Sequence, residues 1–156
     1  MFYETRTKTH PAQAKGSEMA TVTVRDETSL GETTGELTLE FLTERVTARE
    51  VIRSRVYQEV TEYNARQVQS KSRTEGGLFR GLVQPRDAEQ TRDGFRLRTP
   101  RRIDWNEQYE AALTSFAKNR FLLLVNDKQV TDFDAEIELR HDTSVSFLRL
   151  VPLIGG

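Results

Sequence analysis

Two alternating segments followed at once by a helical pattern restrict this chain more than any other feature. In residues 19–25, Val22 and Val24 fall on one side and Thr21, Thr23 and Arg25 on the other, the period-two signature of a half-buried strand. Leu37, Leu39 and Phe41 then alternate with Glu36, Thr38 and Glu40. The polar stretch between them carries Gly31 and Gly35 and is short enough for an antiparallel hairpin. Such a hairpin has one apolar face and needs a covering layer. Ala48, Val51, Ile52, Val56, Val60 and Tyr63 supply one, recurring at three-to-four spacing while Arg49, Arg53, Glu59 and Glu62 point elsewhere. Thr47 is an N-cap type with Glu50 in the capping-box position. The spacing predicts an amphipathic helix of about four turns that stops near Asn64.

The rest of the chain must complete the sheet. Phe121 to Val125 is a continuous apolar run, the pattern of a central strand buried on both sides. Asn126-Asp127 supplies a turn, Gln129 and Val130 a short return, and Ile137 and Leu139 an apolar pair after a polar bend. The last strand pattern runs over 144–151, with Val145 and Phe147 alternating. Four or five strands against one helix hide what a hairpin alone cannot. We expect a mixed sheet whose last strand lies parallel to the first and beside it, leaving both ends of the domain free to emerge.

Between helix and third strand, residues 65–120 form a long insert. Its arginines are interspersed with Gly76, Gly77, Gly81, Pro85 and Gly94, and its apolar knots are small. It reads as an excursion pinned through Phe79 and Leu82, with Asp87, Glu89 and Asp93 diluting any basic patch. Asp104 and Glu107 form a second capping-box pair. The helix they open presents Tyr109, Ala112, Leu113 and Phe116 on one face and ends near Lys118, with Trp105 as a packed or rim aromatic. Residues 1–18 read as a flexible leader and 152–156 as a mobile tail, around a single domain at 19–151.

Composition narrows the chemistry. With 156 residues there is material for one moderate core. A net charge of -1 gives no general attraction to nucleic acid or an anionic membrane. The absence of cysteine removes thiol nucleophiles and cysteine-ligated metals, and two histidines without ligand spacing make a metal site improbable. No phosphate-binding glycine loop, calcium loop or nucleophile elbow is present. No catalytic residue, metal or bound cofactor is therefore assigned, and the chain is not read as an enzyme. No apolar run approaches membrane-spanning length, and a cytoplasmic location is the expectation.

The chain closes on Pro152, Leu153, Ile154, Gly155 and Gly156. Proline ends a strand because it cannot donate a backbone hydrogen bond. Two glycines make a thin thread ending in a carboxylate. Three stretches, GELTLEFL at 35–42, FLLLVNDKQV at 121–130 and VSFLRLVPLIGG at 145–156, together resemble ubiquitin and its β-grasp relatives. The arginine-rich insert and bare diglycine end are similar to bacterial ubiquitin-like proteins encoded beside E1-like, E2-like and JAB-peptidase-like partners. The segment 65–120 has no counterpart in ubiquitin, whose tail is also richer in arginine.

The resemblance implies an α+β, ubiquitin-like β-grasp fold with a long insert containing a second helix. It also implies that the Gly156 carboxylate is adenylated by an E1-like enzyme using ATP and passed through a thioester to an amine on a target protein. A JAB-type peptidase would reverse the linkage. Gly155 lets the thread pass; Arg149, Leu150, Leu153 and Ile154 are the expected partner contacts. Two alternatives stay open: a sulfur carrier with a thiocarboxylate at Gly156, and a non-covalent β-grasp binding module.

Overall fold

The computed structural model describes residues 19–69 and 77–150. The leader assigned to 1–18 and the tail assigned to 152–156 lie outside the described residues. Among the described residues the fold is α+β, with two helices and a mixed five-stranded sheet. Contacts divide the chain into two compact units, one within 1–48 and 122–156, the other within 49–121.

In the first unit, β1 (Ala20–Thr28) and β2 (Thr33–Phe41) form the expected hairpin. Both strands are longer than the apolar alternation suggested, because backbone pairing continues through the polar residues Asp26 and Glu36. Further along the chain come β3 (Arg45–Thr47), β7 (Phe121–Val125), β8 (Lys128–Val130), β9 (Glu136–Glu138) and β10 (Val145–Arg149). The main sheet has the order β2-β1-β10-β7-β8. β10 runs parallel to β1, in the register Val24↔Val145 to Thr28↔Arg149. Residues Val24, Leu39, Leu123 and Phe147 are wholly buried and Val22 and Val145 nearly so.

β7 and β8 are joined by Asn126-Asp127, both at positive φ (51° and 66°), the left-handed pair that matches the twist of a two-residue hairpin. The separate pair β3–β9 sets Val46 opposite Ile137. Neither short strand was legible as one, since three residues are too few to show a period.

In the second unit, α1 (Ala48–Gln69) carries the predicted apolar face: Ala48, Val51, Ile52, Val56, Val60 and Tyr63 are all buried. Two expectations about this helix are corrected. It runs past Asn64, whose side chain instead brackets the backbone of Ile103, donating from Nδ2 to its carbonyl and accepting from its N–H, both at 2.9 Å. Glu59 is also not on an exposed face. Its Oε2 accepts from Arg55 Nε at 3.1 Å and its Oε1 from the Leu82 N–H at 2.9 Å, with Arg55 only 1% exposed.

The insert is more ordered than a loop. β4 (Leu78–Phe79), β5 (Ala88–Thr91) and β6 (Gly94–Leu97) make a three-stranded sheet in the order β4-β6-β5. Phe79, Leu82 and Leu97 are buried, and Phe79 meets Tyr63 edge to face with centroids 5.5 Å apart. Gly94, at φ 153°, sits so close to the Phe79 carbonyl that a Cβ would lie 2.7 Å from it, which explains a glycine there. α2 (Trp105–Ala117) starts at Asp104, whose carboxylate caps the Asn106 N–H at 3.0 Å. Glu107 does not close the box; it pairs with Arg86 instead. Gln108 is buried and donates to the Val83 carbonyl at 3.0 Å.

Burial pushes the Tyr63 phenol above its ordinary 10, against a smaller opposing pull from the Gly77 backbone and the Arg101 and Arg66 guanidiniums. A raised folded-state value means the folded state holds this proton more tightly than the unfolded chain. The contribution is complete below about pH 10 and is lost as pH rises through the folded value. Denaturant titrations in this alkaline range should show stability falling with pH, and Tyr63→Phe should flatten the fall. The buried Arg55–Glu59 pair predicts a second asymmetry. Glu59→Ala should cost about 3–5 kcal/mol, because Arg55 loses this partner inside the protein. The double change Arg55→Met with Glu59→Leu should cost distinctly less in the same unfolding measurement.

Candidate functional site

The residues singled out by sequence fall at the end of β10, and the structure describes this region up to Leu150. β10 occupies the third position of five, between β1 and β7. Its Val145 and Phe147 point into the core, at 1% and 0% exposure. Ser146 is opposite Arg25 in register and donates its hydroxyl to Glu27 Oε2 at 2.7 Å, a charge-assisted bond across neighbouring strands.

The strand is held to its last residue. Arg149 pairs with Thr28, and its carbonyl accepts the Ser29 N–H at 3.0 Å. That N–H belongs to the β1–β2 turn, which is itself tied down. Thr28 N–H donates to the Glu32 carbonyl at 2.8 Å, the Gly31 N–H donates to the Thr28 carbonyl at 2.9 Å, and Thr28 Oγ1 accepts from Leu30 and Glu32 N–H groups. Gly31 takes φ 87°, a conformation glycine adopts without the Cβ clash other residues meet. The other end of β10 is fastened to the β7–β8 turn: Asn126 N–H donates to the Ser144 carbonyl at 2.8 Å and Asn126 Oδ1 accepts the Ser144 N–H at 3.0 Å.

Of the six expected functional residues, Arg149 is half-buried at the strand end, and Leu150, the next along, is exposed at 47%. Leu150 therefore does not complete the core. Leu153, Ile154, Gly155 and Gly156 lie outside the described residues, so the structure brings only Arg149 and Leu150 together.

A further surface was missed by the sequence reading. The run Phe121–Val125 was expected to be buried on both sides, but only Phe121 and Leu123 are buried; Leu122, Leu124 and Val125 are half-exposed. By strand alternation Leu122 and Leu124 face away from the core, as does half-exposed Leu148 beside Phe147. The apolar run carried the signal, yet a run cannot say which of its faces meets another layer.

Among the described residues, each unit has a hollow. In the first unit, about 330 Å³ is lined by residues including Thr23, Arg25, Arg140, His141 and Ser144. Its arginines are each matched to a carboxylate, Arg25 to Glu36 at 3.5 Å and Arg140 to Glu138 at 3.1 Å. In the second unit, a groove of about 670 Å³ runs along α1. Among the described residues no group of three or more His, Asp or Glu side chains is placed to hold a metal ion, and no helix is long and apolar enough to cross a membrane.

The class these elements define is a mixed α+β protein with its last described strand in the middle of the sheet. Comparison with known protein families, with curated proteins and with solved structures finds nothing that matches this chain.

The turn that holds Arg149 gives a local test. Gly31→Ala should lower stability by about 1 kcal/mol, because nothing crowds the added methyl and only the backbone is strained. Amide hydrogen exchange should show faster loss of protection at Ser29, whose N–H bonds to Arg149.

Proposed function

We propose that this chain is a ubiquitin-like protein modifier of β-grasp type whose Gly156 carboxylate is the group activated and conjugated. The observation that carries the reading is the position of β10: parallel to β1, between β1 and β7, and bonded to the β1–β2 turn as far as Arg149. A strand fastened along its length gives the residues after it a defined starting point. Exposed Leu150 begins that segment. Adenylation of Gly156 by an E1-like enzyme with ATP forms an acyl-adenylate, a mixed carboxylic–phosphoric anhydride, and releases pyrophosphate. A cysteine thiol displaces AMP, and a target amine then displaces the thiol. The chain itself supplies no acid or base; its body is a docking handle that raises effective concentration at the partner's site. Arg149, Leu150, Leu153 and Ile154 are the residues proposed to touch the E1-like and E2-like partners, and Gly155 allows passage.

Incubation with candidate E1-like and E2-like proteins and ATP should yield a thiol-reducible adduct, and deletion of Gly155 and Gly156 should abolish it. Mass spectrometry then separates the readings. An isopeptide-linked target supports the modifier, a thiocarboxylate at Gly156 points to a sulfur carrier, and full cellular activity after the deletion overturns both in favour of a non-covalent module.

A further inference from the structure

The groove in the second unit has a built floor, a fixed wall and a charge pattern. Its floor is α1 from its middle to its C-terminal end, where Tyr57, Thr61, Ala65 and Val68 follow one another at spacings of four, four and three. These spacings place them in one row along the helix. The ends of the row are large and exposed, Tyr57 at 52% and Val68 at 74%, and the middle is small. Its wall is the segment Arg102 to Trp105. The two bonds between Asn64 and the Ile103 backbone hold wall to floor, so the groove exists before anything enters it. At one end Trp105 meets Tyr57 edge to face at 5.4 Å, and the Arg53 guanidinium lies 5.0 Å from the Trp105 ring centre.

The charges are one-sided. Arg53 and Arg102 have no carboxylate within ion-pair distance among the described residues. The acid lining the groove, Asp104, is already committed to capping α2. We propose that this groove docks an amphipathic helix of a partner protein, with an apolar ridge seated on Tyr57, Thr61, Ala65 and Val68 and acidic side chains meeting Arg53 and Arg102. A row of small residues between two large ones receives the ridge of another helix. From Tyr57 to Val68 the floor runs about 16 Å at the ordinary helical rise, the length of three turns. A second copy of this chain is a poorer occupant, because it would bring the same unmatched arginines to the contact.

The chain's single tryptophan, Trp105, reports from inside the site. The probe is a designed tryptophan-free, fluorescein-labelled amphipathic peptide of about four turns, with leucines on one face and glutamates flanking them. A lysine-flanked version of the same peptide is its control. The acidic peptide should shift Trp105 emission saturably and raise peptide anisotropy. The lysine-flanked peptide should bind at least about tenfold more weakly, and added salt should weaken the acidic one. Val68→Asp and Arg102→Glu, both at exposed positions, should each weaken binding about tenfold or more while circular dichroism stays unchanged. No binding of the acidic peptide, equal binding of the two peptides, or survival of binding in Val68→Asp overturns the proposal. So does concentration-dependent dimerisation of the unliganded chain that Val68→Asp abolishes, which would assign the groove to a second copy.

Discussion

The parallel pairing of β1 with β10 is the constraint on which the first unit rests. Parallel neighbours cannot be joined by a tight turn; they need a crossover that carries the chain from one end of the strand back to the other. Here the whole of 29–144 is that crossover. A connection so long costs little more to close than a shorter one, since closure entropy grows only with the logarithm of length. An insert such as 65–120 can therefore be carried without penalising the pairing of the first strand with the last. The cost falls on folding rate, because those contacts form only after a long loop has closed.

The second unit is held by polar bonds that are buried or partly buried. Glu59 joins Arg55 to the Leu82 backbone, Asn64 joins α1 to Ile103, and Gln108 joins α2 to Val83. Each links segments well apart in sequence, and those of Glu59 and Gln108 replace bonds to water that burial removes. Their net contribution is modest when whole and large when broken. Such bonds specify where the insert lies, while Phe79, Leu82 and Leu97 supply the apolar burial that keeps it there. The composition of the insert, rich in arginine and glycine, hides how few apolar side chains suffice once the backbone is tied.

The same polar residues mislead a one-dimensional reading. Asn64 looks like a helix stop because asparagine competes with the helix backbone for hydrogen bonds; in the fold its side chain serves another segment, and the helix passes on to Gln69. Glu59 looks like a solvated position because charges are seldom buried unless paired. Glu107 looks like a capping partner, yet the Arg86 guanidinium takes it. In each case the local rule is sound, and for Asn64, Glu59 and Glu107 a partner distant in sequence overrides it.

The sequence by itself determined the elements with a long, clean period: the β1–β2 hairpin, the apolar face of α1, the turn at Asn126-Asp127 and the start of α2 at Asp104. These depend on backbone geometry and on neighbours within a few residues, so the pattern carries the whole cause. It also determined the diglycine that directs the proposed chemistry. Only the tertiary structure decided that Leu150 stands outside the core, that one side of β7 stays half-exposed, that β3 finds β9, and that Tyr57, Val68 and Trp105 share one groove. Those outcomes turn on which segments, tens of residues apart, displace water from one another, and no local spacing records that.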